Sequence, residues 1–208
     1  MLQDELRFLK EFKVKKILFR NALDAPAIAV SREEPLISKE RKIKDMTKLL
    51  YLSRIHPKKG LLLVVRSLNE IIKEYPHITL TVAGPVEDRR YFEIVLSFIR
   101  SKGLENNIIF KGLVDGVEKQ KILSESGIFL LPTKDDCAPL AILEALAAGL
   151  PVITTKGADI PEIDRQMGFI VKEDPLDISN AVIRIISDSN LALHMSKRGQ
   201  EYVLSEFT

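Results

Sequence analysis

From Leu49 onward, short runs of Val, Ile, Leu and Phe alternate with longer segments whose apolar positions recur at steps of three and four. Apolar runs separated by helical periods are the signature of βαβ units. Six runs predict strands: residues 49–53 (LLYLS), 78–83 (ITLTVA), 107–111 (NIIFK), 128–131 (IFLL), 152–154 (VIT) and 169–171 (FIV). Most are apolar throughout instead of alternating, as strands covered on both faces must be, so a parallel sheet follows. Between the first two, Leu61, Val64, Val65, Leu68, Ile71, Ile72 and Tyr75 trace one helix face, closed by Pro76. Segments 91–100, 117–126 and 139–148 read as further helices, with Gly103, Gly127 and Gly149 as candidate left-handed closing residues. Two more helices, over residues 177–187 and 191–204, complete the pattern. The fold class this predicts is α/β, a doubly wound parallel sheet of the Rossmann-like kind.

Residues 1–48 are patterned differently. A short amphipathic stretch carries Leu2, Leu6 and Leu9, a strand-like KKILF follows, and a polar stretch from Ala25 to Met46 holds Pro26 and Pro35. They predict a linker entering a domain over residues 49–208. The charge-dense run KERKIKDMTK at 39–48 reads as a solvated helix or loop before it reads as a patch for a membrane surface or an acidic partner.

A chain of 208 residues with 46% apolar and 29% charged positions can bury a real core, which excludes a disordered class. Lys plus Arg 31 against Asp plus Glu 29 leaves a formal charge of +2, so nucleic acid is not an expected partner. The single cysteine, Cys137, makes no internal disulfide, and three scattered His do not complete a zinc site with it; a reducing, cytoplasmic setting is expected. The opening MLQDELRFLKEFKVKK lacks the apolar core of a secretory leader. The weakly polar run 137–153 is shorter than the span of about 20 residues a bilayer needs.

Two stretches carry candidate chemistry. SRIHPKKG, residues 53–60, lies between a strand end and a helix start, the edge where open parallel sheets bind ligands. Arg54 and Lys59 place two cations beside backbone N–H groups there, and a diphosphate is the natural guest. Solvated cations, or cations paired with surface acids, are the alternative reading. The second stretch is KDDCAPLAILEALAAGLPVITT, residues 134–155. Glu144 is the only charge across 137–153, on a helix apolar nearly all round, so it is expected to be buried and to need partners. Two neighbouring ribose hydroxyls would satisfy it, and so would a Lys, an Arg or a backbone pair. Asp136 precedes it by eight residues, about 12 Å of helical rise, the reach from a ribose to a sugar attached through a diphosphate. N-capping is the structural reading of Asp136.

Pro139 suits a first helical turn and leaves the N–H groups of Leu140 and Ala141 for an anion or a sugar oxygen. Asp135 and Asp136 form a weak divalent-metal signal without a third ligand, and no metal site is expected. His77 and His194 read as ordinary surface residues, while His56 lies inside the phosphate-like loop. Cys137, beside a carboxylate, is a poor nucleophile.

Taken in order and spacing over residues 17–208, the segments FRNALD, LLYLSRIHPKKGLL, LTVAGP, IIFKGLV, IFLLPTKDDCAPLAILEALAAGLPVITT, GFIV and a closing FT resemble the donor-binding C-terminal domain of the GT-B glycosyltransferases, specifically glycosyltransferase family 4 (group 1). The resemblance implies retaining transfer of a sugar from a UDP- or GDP-linked nucleotide sugar to a glycan or glycolipid acceptor, with no cofactor and no required metal. It implies that Arg54 and Lys59 hold the diphosphate. Glu144 matches the second acid of the family's Glu, seven residues, Glu signature and is implied to hold the ribose. Asp136 stands at the first acid, facing the donor sugar, so that Asp136, Arg54 and Lys59 form the catalytic set. Gly84 and the loop Gly112, Leu113 and Val114 match positions near the base and ribose, and Pro139, Leu140 and Ala141 complete the donor-binding set. The leaving diphosphate is implied to help deprotonate the acceptor, so no protein nucleophile is expected in this half. Two departures stand out: Asp136 is one methylene shorter than the usual Glu, and Ala138 fills a place often taken by Phe.

The implied partners are the donor and an N-terminal acceptor-binding domain or chain, with peripheral association at the inner face of a membrane. The chain alone is expected to bind donor without transferring it. A non-catalytic nucleotide-sugar-binding subunit and a GT-B sugar-nucleotide epimerase are the competing readings of the same residues.

Overall fold

The computed structural model describes residues 45–136 and 139–207. The Leu2, Leu6 and Leu9 stretch, KKILF, FRNALD, residues 39–44 of the charged run, Cys137, Ala138 and the closing Thr208 lie outside the described residues.

Six strands form one sheet: β1 (Lys48–Leu52), β2 (Thr79–Ala83), β3 (Ile108–Gly112), β4 (Ile128–Leu131), β5 (Val152–Thr155) and β6 (Gly168–Val171). Their order is β3-β2-β1-β4-β5-β6 and every pairing is parallel. Six helices connect or follow them: α1 (Leu61–Ile71), α2 (Arg89–Lys102), α3 (Gly116–Glu125), α4 (Leu140–Ala147), α5 (Pro175–Ser187) and α6 (Ser189–Phe207). All six expected strands are present, and the fold is the doubly wound, Rossmann-like sheet. No described helix is long and apolar enough to cross a membrane.

The burial pattern explains the strand composition. β4 and β5 are buried at every position, and β1 everywhere except Lys48, because helices cover both faces at the centre of the sheet. α1 packs against α2 and α5, and α6 against α4 and α5. β3 departs from the expectation of full cover. Only Ile108 is buried, while Ile109 and Phe110 are 47% and 36% exposed. It is one of the two edge strands, and its cover includes the edge-on packing of Phe110 on Phe92, with ring centroids 5.3 Å apart.

Two helix ends also differ from expectation. α1 stops at Ile71, and Ile72 to Tyr75 continue as turns, with the Tyr75 N–H donating to the Ile71 carbonyl at 2.8 Å. Gly103 and Gly149 close α2 and end the turn after α4 in the left-handed region, but Gly127 does not. Gly127 is required by crowding instead: a Cβ there would lie 2.3 Å from the Asp45 carbonyl oxygen. Its N–H donates to the Lys48 carbonyl at 2.8 Å. The chain entering β1 is thus bound to the start of β4, and Met46 packs against the core. The Thr47 hydroxyl and N–H both donate to the Asp45 carboxylate, which holds that carboxyl below its usual range.

Candidate functional site

In this strand order the chain direction across the sheet reverses between β1 and β4, and ligands of such sheets bind outside the carboxyl ends of the strands at that point. Parallel strands bring the loops after β1, β2, β3 and β4 to the same edge, and these loops carry Arg54 and Lys59, Gly84, Gly112 to Val114, and Asp136 respectively.

The loop after β1 is held rigidly. His56 caps a single 3-10 turn, Pro57–Lys59, its Nδ1 accepting from the Lys58 N–H at 3.2 Å. The histidine is therefore a capping group of the loop. Gly60 ends the turn at φ 74°, where a Cβ would lie 2.3 Å from the Pro132 carbonyl oxygen, so only glycine lets the loop close against the end of β4. The Lys58 carbonyl accepts from the Lys134 N–H at 2.9 Å and from the Thr133 hydroxyl at 3.2 Å. The two loops flanking the switch point are stitched backbone to backbone.

Across that seam two adjacent lysines face two adjacent aspartates. Lys59 forms an ion pair with Asp136, their side chains only 10% and 25% exposed. Lys58 meets Asp135 at 3.6 Å in solvent. Asp136 does not cap α4, whose N-cap is Pro139 in extended conformation without a side-chain cap. Pro139 consequently sits one position before the first turn in which it was expected. The Asp136 N–H donates to the Gly157 carbonyl at 2.8 Å, and the Thr155 hydroxyl donates to the Thr133 carbonyl, so the loop after β4 is anchored to the end of β5.

Arg54 leaves the same loop but points to solvent, pairing with Glu87 at 2.6 Å. The Tyr51 hydroxyl donates to the Arg54 carbonyl at 3.1 Å, and burial pushes that phenol far above its usual range, with Tyr91 and Asp136 adding to the rise. On the β2–β3 side, the Gly84 N–H donates to the Gly112 carbonyl at 2.7 Å. Leu113 is exposed there and Val114 buried.

Glu144 differs from its expected environment. It is on α4, the fifth residue from Leu140 and so about 6 Å along the axis from the helix start. Its side chain is 19% exposed, because α4 turns one face to the site edge and not to the core. It pairs with Lys119 of α3 at 2.6 Å, so the lysine-partner alternative is the contact the structure contains. Leu140, the first residue of α4, is exposed, and Ala141 is half-buried. Among the described residues no three His, Cys, Asp or Glu cluster as metal ligands.

Sequence reasoning singled out neither Lys119 nor Glu87. Each pair joins different inter-strand connections, 25 and 33 residues apart, and no spacing rule spans such a gap. One signal was available for Lys119: it lies five residues beyond Val114, in the helix that opens directly from the Gly112 loop.

A family model for the group 1 glycosyl transferases matches residues 47–188. N-acetyl-alpha-D-glucosaminyl L-malate synthase of Bacillus anthracis is 27% identical over 180 residues, covering 85% of this chain and 46% of that protein. A GDP-mannose-dependent alpha-(1-6)-phosphatidylinositol monomannoside mannosyltransferase of Mycolicibacterium smegmatis is 25% identical, covering 78% and 44%. Among solved structures, the C-terminal domain of the group 1 glycosyl transferase LpcC from Francisella tularensis superposes with a TM-score of 0.71 at 26% identity, covering 77% of this chain and 85% of that one. Anabaena Alr3699/HepE, solved with UDP and glucose, shares the fold at a TM-score of 0.69 and 20% identity, over 76% and 44%. The chain spans a little under half the length of these curated relatives. With the matched region covering most of the chain and every strand of its sheet, the protein belongs to the group 1 glycosyltransferases.

Proposed function

We propose that the β1–β4 edge binds a nucleotide-sugar donor, UDP- or GDP-linked, and that this domain is the donor half of a retaining glycosyltransferase acting on a glycan or glycolipid. The observation that carries the reading is the Lys59–Asp136 pair: a lysine withdrawn from solvent, locked by Gly60 and aimed across the switch point at an acid. A donor diphosphate carries more negative charge than one carboxylate, and charge-assisted hydrogen bonds to phosphate oxygens are the strong ones. It would take Lys59 as its counter-ion and release Asp136 toward the sugar attached to the same diphosphate. Arg54 would swing from Glu87 to the diphosphate, and the N–H groups of Leu140 and Ala141 would meet it from the uncapped start of α4. Glu144 would accept from the ribose hydroxyls, with Gly84 and residues 112–114 beside the base. The leaving diphosphate would help remove the acceptor proton, so Asp136 need not act as a nucleophile.

In this reading the residues ahead of Asp45 connect the domain to an acceptor-binding half, residues 45–48 of the expected linker being part of the domain itself, and transfer needs both walls of the cleft. A relative named for GDP-mannose and for phosphatidylinositol monomannoside supports a nucleotide-sugar donor, and the reading puts this chain's work at the cytoplasmic face of a membrane. Isothermal titration of the chain with UDP-, GDP- and ADP-sugars tests the proposal: one of them is expected to bind, and no heat at millimolar concentration from any overturns it.

A further inference from the structure

The residues after the Gly112 loop are unusual in one respect. From Asp115 to Lys121 every side chain is exposed except Lys119. It turns inward, across to α4, and places its ammonium 2.6 Å from Oε1 of Glu144. Both side chains remain about a fifth to a quarter exposed, so the pair is neither sealed in the core nor free in solvent. Ile122 and Leu123 farther along α3 are buried and seat the helix on the core, so in its exposed first half Lys119 alone turns inward, and it turns to this carboxylate.

We infer that Lys119 is a positioning residue for ribose recognition, a role that rests on the reading of Glu144 given above. A glutamate on a helix has three rotatable bonds and loses that freedom when it binds a ligand. A lysine from a neighbouring helix holds one carboxylate oxygen beforehand. A carboxylate has two oxygens and about four acceptor sites, so Oε2 and the remaining lone pair of Oε1 are left for two adjacent hydroxyls. The same contact ties α3, and with it the Gly112 to Val114 loop, to α4. The base-side and ribose-side walls are thereby set in register before the donor arrives. Preorganisation of this kind raises affinity by removing an ordering cost.

The reading predicts a selective loss. Binding of UDP and GDP to the 208-residue chain is compared with that of their 2′,3′-dideoxy analogues. Wild type is expected to prefer the ribonucleotide it binds by about tenfold or more, the scale of hydrogen bonds to a charged acceptor. Lys119→Met should compress that preference to about twofold while affinity for the dideoxy analogue stays nearly constant, because only the carboxylate is mispositioned. Lys119→Arg, which can still reach a carboxylate oxygen, should restore most of the preference. Should Lys119→Met fail to fold, Lys119→Gln against Lys119→Arg makes the same comparison, with the preference falling in the first and retained in the second. An unchanged preference in Lys119→Met overturns the positioning role and leaves Glu144 as the ribose acid. Tighter ribonucleotide binding in that variant also overturns it, since the lysine would then be a lock that the donor must displace. A wild-type chain that binds ribo- and dideoxynucleotides equally well removes the ribose reading of Glu144 itself.

Discussion

Arg54 and Lys59 stand five residues apart on the loop after β1, and each meets one carboxylate, yet the two pairs live in different surroundings. The Arg54–Glu87 pair is 57% and 41% exposed, so water and salt screen it, and its worth to the fold is in the range of about 0–1 kcal/mol. The Lys59–Asp136 pair is 10% and 25% exposed and spans the two strands where the sheet reverses. Lys59 has a locked backbone on both sides, His56 capping the turn before it and left-handed Gly60 after it. The Arg54 backbone is held as well, by the Tyr51 hydroxyl on its carbonyl and by the bonded N–H groups of Ser53 and Ile55 on either side, so the difference lies in its side chain, which is exposed. The contrast teaches that one loop can hold one cation's side chain in place and leave the other's loose, which under the proposed function would let Arg54 close over a diphosphate already met by Lys59.

The contrast breaks most sharply at Lys59. Lys59→Met leaves the Asp136 carboxylate partly buried and unpaired, and should cost about 2 kcal/mol of stability, below the full penalty of a wholly buried charge. Denaturant unfolding reads this. Lys59→Met combined with Asp136→Leu should recover most of the loss, because neither charge is then stranded, while nucleotide-sugar binding stays absent. A Lys59→Met variant as stable as wild type would make the pair no different from the exposed one.

How much of this was open to reading from residues alone depends on the scale. The six strands were legible because a parallel sheet demands continuous apolar runs, and IFLL and VIT are such runs. Edge position was not, since IIFK has the same composition as a central strand; only the order of strands tells that Ile109 and Phe110 face water. Gly127 read as a helix stop, but its need for glycine comes from the close approach of the Asp45 carbonyl, a contact 82 positions away in the chain (127 minus 45). At the site, Arg54, Lys59, Asp136 and Glu144 each stood out singly, as charges beside strand ends or in an apolar run. Their partners did not. Lys59 and Asp136 are 77 residues apart, and which loop faces which is set by the 3-2-1-4-5-6 order, a property of the whole sheet. Lys119 carried no motif at all.

A smaller effect separates the two cations through the backbone. Tyr51 is fully buried and its hydroxyl supports the Arg54 carbonyl at 3.1 Å, so Tyr51→Phe should cost about 1 kcal/mol, the net worth of one such hydrogen bond. Its titration gives the sign of a pH dependence. Burial raises the folded phenol above its unfolded value near 10, so the folded state favours the protonated form. That contribution is complete below pH 10 and is lost as pH climbs past it, where the unfolded chain sheds its proton first. Stability followed by denaturant from pH 8 to pH 11 should fall above 10, and fall less in Tyr51→Phe. Equal slopes would place the loss on other groups, such as Tyr202, which burial raises to about 12.

The least disturbance to the fold should come from Arg54→Ala, and it is the most informative about the comparison. Removing an exposed partner strands no buried charge, since Glu87 is itself 41% exposed and returns to water, so stability should change by no more than about 0.5 kcal/mol. The loop does not depend on the guanidinium either, because the Ile55 N–H donates to the Pro85 carbonyl at 2.8 Å and the Glu87 N–H to the Ile55 carbonyl at 3.2 Å. Donor binding is a different matter. If the loose cation closes on the diphosphate, Arg54→Ala should weaken nucleotide-sugar affinity about tenfold, the scale of one charge-assisted contact, with no change in melting temperature of the unliganded chain. It should also flatten the dependence of affinity on salt, because one screened charge fewer then attracts the ligand. Calorimetry at low and at physiological ionic strength reads both effects on the same protein. Unchanged affinity would leave Arg54 as a surface ion pair and nothing more, and would place the whole burden of diphosphate recognition on Lys59 and the start of α4.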